Sequence, residues 1–468
     1  MTDCTQREVE FQGLAHRRVV ADFGGGDISS DGGALLLRDT EQLRGWIRDL
    51  ASCFTDYRDP ELIEHTVAEL LAQRVFGLAL GYEDLNDHDQ LRVDPLLAVV
   101  CGKSDPMGAA RRREADQGKA LAGKSTLNRL EHGQGAEDRY KRIVCDVEKL
   151  AELFVKKFIS RRTTAPAVLV LDLDATDDPV HGEQEGRFFH GYYDGYCYLP
   201  LYIFCGSELL CAKLRSANID ASAGSLEQVE RIVQRLRGVW PEVRIVLRAD
   251  SGFARDDLMS WCETHGVDFV FGLSRNRRLE QMLAPAMAAV QRWCEITGAP
   301  ARTYMELNYR TLDSWSRARR VVGKAEQLAQ GANPRFVVTS LDASAHPAAL
   351  LYEEDYCGRG DMENRIKEQQ LDLFADRTST ATMKANQIRL WLSSVAYSLM
   401  NDLRELGLKG TRLAVAQCGT IRTRLMKIGA ASTVSVRRVW VRLARSCPYQ
   451  DVFTQAWKNL TALGVGVT

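Results

Sequence analysis

Residues 167–176 read AVLVLDLDAT. Pro166 precedes this run and a polar pair, Asp177-Asp178, follows it, so the valine- and leucine-rich segment between reads as a buried strand. Asp172 and Asp174 lie two apart and therefore share one face of that strand. A buried carboxylate without a partner is costly, or is forced to take up a proton. A divalent cation would relieve the cost. A cap on the turn after the strand would also account for either acid, and at this point both readings stay open.

Outward from this run the pattern stays sheet-like. CYLPLYIFCG and ELLCAKLRSA read as two strands joined by a tight turn at Gly206-Ser207. A helix follows over about 223–239, then a strand, VRIVLRAD (243–250), a helix over about 254–265 and a strand, VDFVFGL (267–273). A longer and less regular part, about 275–330, precedes the strand RFVVTSL, and helical spacing resumes from about His346. Three strands in succession, then alternating helix and strand, predict a mixed α/β sheet with helices on its faces.

The flanks differ. Residues 1–40 look irregular and glycine-rich, while about 35–100 and two runs between Ser125 and Ile159 have helical spacing, separated by a polar loop at 103–123. WLSSVAYSLMNDL, from Trp391, is a strongly apolar helix. Residues 401–468 hold eleven Lys/Arg against three Asp/Glu, net +8, in a chain of 468 residues whose formal charge is −1. That tail reads as a basic helical region. The overall balance excludes a simple basic DNA-coating protein, although local basic patches remain open to nucleic acid.

The twelve cysteines show no CxxC or Cys/His zinc spacing and read as reduced core residues. The N-terminus lacks a signal pattern, and no apolar run approaches the ~20 residues of a membrane span. The expected protein is cytoplasmic, with no membrane partner.

Two further acids stand where a fold would present them. Asp250 ends VRIVLRAD, and the carboxyl edge of an open α/β sheet is where ligands bind; capping the next helix is the alternative. In DYCGRGDMENRIKEQQ, Tyr356, Arg359, Glu363 and Lys367 are spaced by three, four and four and form one helical stripe, either functional or a solvated charge ladder. Three carboxylates suit phosphodiester cleavage. Two Mg²⁺ ions roughly 3.5–4 Å apart, with Mn²⁺ as a substitute, activate water and neutralise charge in an in-line displacement.

Asp174-Ala175-Thr176 resembles the Asp-x-Thr that ends the first strand in bacterial insertion-sequence DDE transposases. Arg248-Ala249-Asp250-Ser251-Gly252-Phe253 resembles their second-aspartate motif, and Tyr356-x2-Arg359-x3-Glu363 their tyrosine–arginine–glutamate signature. VHGEQEGRFFHGYYDGYCYLPLYIF and ANQIRLWLSSVAYSLM also look like family sequence, so the resemblance covers roughly 165–405. It implies an RNase H-like core with an insertion and the metal-ligating catalytic triad Asp174, Asp250 and Glu363. It implies a helical DNA-binding domain (1–160), the core in two parts (161–274 and 335–400), an insertion subdomain (275–334) and the basic tail (401–468). The family often carries a lysine seven residues after the glutamate, where this chain has Gln370; Lys367 stands one turn earlier.

The implied partners are DNA, both element ends and target, and a second copy of the chain in a complex with two DNA ends. Tyr356, Arg359 and Lys367 are the expected phosphate contacts at the cut, since a guanidinium suits bidentate phosphate binding. Within the insertion, Trp315 is a candidate for stacking on an unpaired base or else a packing aromatic, with Arg319 and Arg320 beside it. Arg275 and Arg277 are further phosphate candidates, as are the basic residues of the tail. Gly118-x4-Gly123-Lys124-Ser125 satisfies the letter of a P-loop, but no buried strand precedes it, so no ATP site is expected. The function implied is transposition: binding terminal inverted repeats, cutting them and joining the 3′ ends to target DNA. An RNase H-like nuclease that does not transpose, or a non-catalytic DNA-binding descendant, are the alternatives.

Overall fold

The computed structural model describes residues 8–464. The chain divides into two compact units, one of residues 147–371 with 375–394, the other of residues up to 146 with 372–374 and from 395 onward. The predicted irregular stretch at the N-terminus and the end of the basic tail lie partly outside the described residues.

The first of these units is built on a nine-stranded sheet. Its strands are β1 (Val168–Ala175), β2 (Leu201–Cys205), β3 (Glu208–Lys213), β4 (Arg244–Ala249), β5 (Asp268–Leu273), β6 (Ala301–Tyr309), β7 (Arg319–Leu328) and β8 (Arg335–Thr339), with a short strand, Gly331–Ala332, paired to β7. The order is β3-β2-β1-β4-β5-β8-β7-β6. β4 runs parallel to both β1 and β5, and the remaining neighbours are antiparallel. The β2–β3 hairpin closes at Gly206, whose φ of 60° is one that glycine adopts without steric penalty.

Alternation along β1 and β4 decides which side chains meet. Leu169, Leu171 and Leu173, with Ile245, Leu247 and Ala249, point into the larger core. There they meet α2 (Ser225–Val239), whose Val229, Ile232, Val233 and Leu236 form one helical stripe, and α3 (Asp256–Thr264), with Leu258, Met259 and Cys262. The opposite face carries Val170, Asp172 and Asp174 on β1, with Val246 and Arg248 on β4. That second face is covered by Leu351 and Tyr352, which precede α5 (Gly360–Lys367).

The expected strands of this unit form within a few residues of the predicted bounds. The less regular part does not: residues Arg277–Thr297 make a 21-residue helix, α4. Asn276 caps it by accepting from the amides of Arg278 and Leu279. Only Leu279, Leu283 and Val290 are buried, and Pro285 lies inside it, so the apolar stripe is too thin and interrupted to read as a helix.

In the other unit, the expected helical spacing from 35 to 100 becomes Ala34–Arg44, Trp46–Ala51, Val67–Leu80 and Pro95–Val100. Two readings are corrected. Val9–Leu14 and Arg17–Ala21 pair as an exposed antiparallel hairpin inside the stretch expected to be irregular. The basic tail is not all helix: Ala430–Val434 (β9) and Val439–Leu443 (β10) form a hairpin ahead of the helix Gln450–Ala462. β-Branched Thr433, Val434, Val439 and Val441 favour the extended chain there. Among the described residues no helix is long and apolar enough to cross a membrane.

Candidate active site

At the carboxyl end of the central parallel pair, β1 delivers Asp174 as its penultimate residue and β4 delivers Asp250 as the residue after its last. Leu173 registers with Ala249, so the two acids sit at the same edge of adjacent strands. The Asp250 side chain accepts from the Gly252 amide at 2.9 Å, capping the turn Ser251–Phe253. The predicted cap is therefore present, and it uses one oxygen.

Glu363 comes from α5. Its Oε1 accepts from the Arg359 guanidinium at 2.8 Å, and the same guanidinium lies 3.7 Å from Asp174 Oδ2. Arg359 thus stands between the first aspartate and the glutamate. The three acids share one electrostatic neighbourhood. The Asp174 carboxyl is pushed up to about 7, by burial first and then by Asp250 and Glu363, against the pull of Arg359 and the Ala175 amide. One local hydrogen bond, from the Ala175 amide at 3.0 Å, supports its charge.

The donor set fits a divalent cation by chemistry. It consists of hard carboxylate oxygens, and Asp174 is a half-buried acid whose charge is only partly offset by the Ala175 amide and Arg359. Spacing is a separate matter. Among the described residues no group of three or more His, Cys, Asp or Glu side chains already stands at ligand distances, and Arg359 is the positive charge among the acids.

Asp172 has a different fate from Asp174 although both face the same way. Arg248, its register partner on β4, grips both carboxylate oxygens, with Nη2 at 2.8 Å from Oδ2, and its Nη1 donates to the Asp355 carbonyl at 2.7 Å. The Arg248 guanidinium fits because Gly358 has no side chain: a Cβ there would lie 2.5 Å from Nη1.

Tyr356 projects toward Gly272 on β5, where an added Cβ would come within 2.6 Å of the tyrosine oxygen. Beside it lies a polar cleft of about 400 Å³ lined by Ser251, Gly272, Arg275, Asn333, Arg335 and Tyr356. Arg275 and Arg277 are exposed. Lys367 is exposed as well, whereas Gln370 donates to the Asp177 carbonyl at 2.9 Å, three residues beyond Asp174.

Three residues expected at DNA are tied up within the protein. Trp315 is 3 % exposed and packs edge-on against Tyr309, with the Arg319 guanidinium over its ring, so no face is open to a base in this conformation. Arg319 is 4 % exposed and binds Asp256 at 2.6 Å and Glu263 at 2.8 Å. Arg320 forks onto Glu306 and donates to the carbonyls of Leu341 and His346. The packing alternative left open for Trp315 is the one the fold adopts.

Sequence reasoning gave no role to Tyr193 or Arg248. Tyr193 has its hydroxyl 3.5 Å from the Ala175 carbonyl; burial first, then Asp177, Asp174 and Asp250, push it up to about 12. Arg248 carried a usable signal, a cation inside an apolar central strand one register step from an acid.

The sequence profile of the family described as transposase DDE domain, group 1, matches residues 11–465. Among solved structures, the chain is similar to a cryo-EM structure of the piggyBac transposase synaptic complex with hairpin DNA. Identity is 13 %, the TM-score is 0.42, and the match covers 85 % of this chain and 80 % of that one. No curated protein sequence matches.

Proposed function

This chain belongs to the DDE transposase family, group 1, and from that premise we propose that Asp174, Asp250 and Glu363 form the site at which it cuts and joins DNA. The observation that supports the reading is that Asp174 and Asp250 end adjacent strands and that Asp174, pushed up to about 7, senses both Asp250 and Glu363. A carboxylate cluster this poorly compensated is expensive to keep unless it does chemistry on a cationic partner. Asp174 and Asp250 on neighbouring central strands of a mixed sheet, with Glu363 on a following helix, support the RNase H-like core that the family resemblance implies.

Asp174, Asp250 and Glu363 would hold divalent cations, Mg²⁺ with Mn²⁺ as a substitute. When bound, such ions supply an activated water or 3′-hydroxyl and neutralise charge on the phosphate. The chain's own groups do the positioning. Asp250 is fixed by its cap to Gly252, so the first turn after β4 and the acid move as one. Arg359 presents a planar fork that matches a phosphate, and Tyr356 adds a hydroxyl at the mouth of the cleft where Arg275 and Arg335 supply positive charge. Lys367, exposed one turn after Glu363, is a further phosphate contact. The second face of the sheet, packed with Val170, Val246 and Tyr352, keeps bulk water from the inner side of the acids.

The substrate of this reading is the terminal inverted repeat of the chain's own element. The ends are cut and their 3′ hydroxyls joined to target DNA by two copies acting on two ends. The test is a labelled duplex carrying the inverted repeat that flanks the gene, incubated with Mg²⁺ or Mn²⁺. Wild type should cut it, while Asp174→Ala and Glu363→Ala should bind it and leave it whole. Wild-type protein that binds this duplex but never cuts it with either ion would overturn the reading.

A further inference from the structure

The β9–β10 hairpin presents a surface that the catalytic reading does not use. Its register pairs Ala431 with Arg442 and Thr433 with Trp440, and these four share one face. The other face packs inward, with Ala430 and Ser432 buried. Trp440 is 51 % exposed, and the Arg442 guanidinium lies 5.5 Å from its ring centroid and 3.4 Å from the Thr433 hydroxyl. The connecting turn, residues 435–438, is closed by the Ser435 amide donating to the Arg438 carbonyl and lifts Val436 and Arg437 fully into solvent.

Charge is one-sided here. Residues 429–446 contain Arg437, Arg438, Arg442 and Arg445 and no acidic residue. Among the described residues none of these four arginines has a carboxylate at ion-pairing distance, in contrast to Arg412 and Lys427 nearby, which pair with Asp451 and Asp31. Arg422, another basic residue of this tail, is spent internally on the carbonyls of Ala79 and Asp372. Below the hairpin tip runs an open cleft of about 350 Å³ whose far wall includes Arg38 and Lys103, the latter paired with Glu69.

We propose that this hairpin is a contact surface for duplex DNA, an inference that rests on the transposase reading and adds to it a binding element apart from the carboxylates. A two-stranded ribbon has the width to enter a major groove, and unpaired arginines along its edge and tip meet the phosphates on either side. The exposed Trp440 and Val436 add apolar surface to this ridge. Duplex is favoured over single strand because the cations line a ridge and its flanking cleft, as two phosphate chains would require.

The test uses the full chain and a short fluorescent mixed-sequence duplex, titrated from about 50 to about 200 mM salt, since the phosphate contribution does not depend on sequence. Every phosphate that an arginine no longer neutralises lowers the salt slope by about 0.9, so Arg437→Ala/Arg438→Ala/Arg442→Ala should reduce the slope by about 2.7 and the affinity on the order of 100-fold near 150 mM salt. The same three positions changed to lysine should recover most of the binding, and Arg412→Ala, which removes a cation already paired with Asp451, should bind like wild type. Melting temperature and circular dichroism of the alanine variant should match wild type, because all three side chains are exposed. An alanine variant with unchanged affinity and slope overturns the hairpin and leaves the transposase reading standing. Weakening seen with single-stranded DNA but not with duplex also overturns it. Wild-type protein that binds no DNA at all overturns both.

Discussion

Replacing Asp172 and Asp174 separately by alanine should move stability in opposite directions, although the two residues share a strand face. Removing Asp172 leaves the Arg248 fork inside the sheet with only the Asp355 carbonyl to satisfy it; the pair's side chains are 14 % and 4 % exposed. Breaking one partner out of such a buried pair costs about 3–5 kcal/mol. For a unit of this size that is a fall in melting temperature of roughly 6–20 °C. Asp174 is the reverse case. Its pKa is raised to about 7 in the fold. At pH 7 the unfolded chain therefore releases a proton that the folded one half retains, and the native state bears a penalty of up to roughly 4 kcal/mol. Alanine removes that penalty, so Asp174→Ala should melt higher than wild type in chelator. The gain should shrink as pH falls from 7 toward 4, where the unfolded carboxylate also becomes protonated. The assay is calorimetric or fluorescence melting of three proteins in chelator at pH 7 and pH 4, repeated with Mg²⁺, which should raise wild type and not Asp174→Ala. If Asp174→Ala falls together with Asp172→Ala in chelator, Asp174 is a structural acid and the division between the two is wrong.

Other consequences follow from the same contacts. Gly272→Ala puts a methyl where the Tyr356 hydroxyl lies; cleavage should fall at least tenfold while duplex binding in the absence of cations changes little, and unchanged cleavage would show that Tyr356 has no fixed role. Arg319→Ala should destabilise by about 3–5 kcal/mol, because Asp256 and Glu263 lose a buried partner; a stable variant with weakened DNA binding would return Arg319 to the DNA. His65 and His88 are both held down to about 3, by burial first and then by the cations beside them, Lys103, Arg111 and Arg58 for His65 and Arg74 for His88. Each is neutral in the fold and takes a proton when unfolded below pH ~6.5, so stability is full above that pH and is lost as pH falls toward 3. Between pH 7 and 5 the two together should cost roughly 4 kcal/mol, and a double His→Gln variant with the same melting difference between those pH values would refute the assignment.

The sheet was legible because its period is short and its apolar content high. Leu169, Leu171 and Leu173 on one face, with Asp172 and Asp174 on the other, state the pleat in the letters themselves. The helix α4 was not, because three buried residues in twenty-one and an internal Pro285 leave no stripe to read. The hairpin β9–β10 was masked by its own charge: arginines at 437, 438, 442 and 445 suit a solvated helix as well as a ribbon, and only pairing to Ile28–Ser29 and burial of Ser432 decide between them. Exposed elements depend on such tertiary choices more than on local preference.

The acids proposed for the site stand out in the sequence by their motifs, but their partners do not, since those lie far along the chain. Asp172 is answered by Arg248, 76 residues away, which pulls down a carboxyl that burial raises. Asp174 is answered only at 3.7 Å, by an arginine that makes its close contact with Glu363 instead. Arg359 reaches Glu363 at hydrogen-bond distance and Asp174 only at 3.7 Å, so three acids face this cation and the cluster keeps a surplus of negative charge at the edge of the sheet. A phosphate that draws Arg359 into a bidentate contact would free the Glu363 oxygen it now holds. On the proposed reading, phosphate binding and exposure of the carboxylates would be coupled through Arg359, the guanidinium in contact with both Asp174 and Glu363.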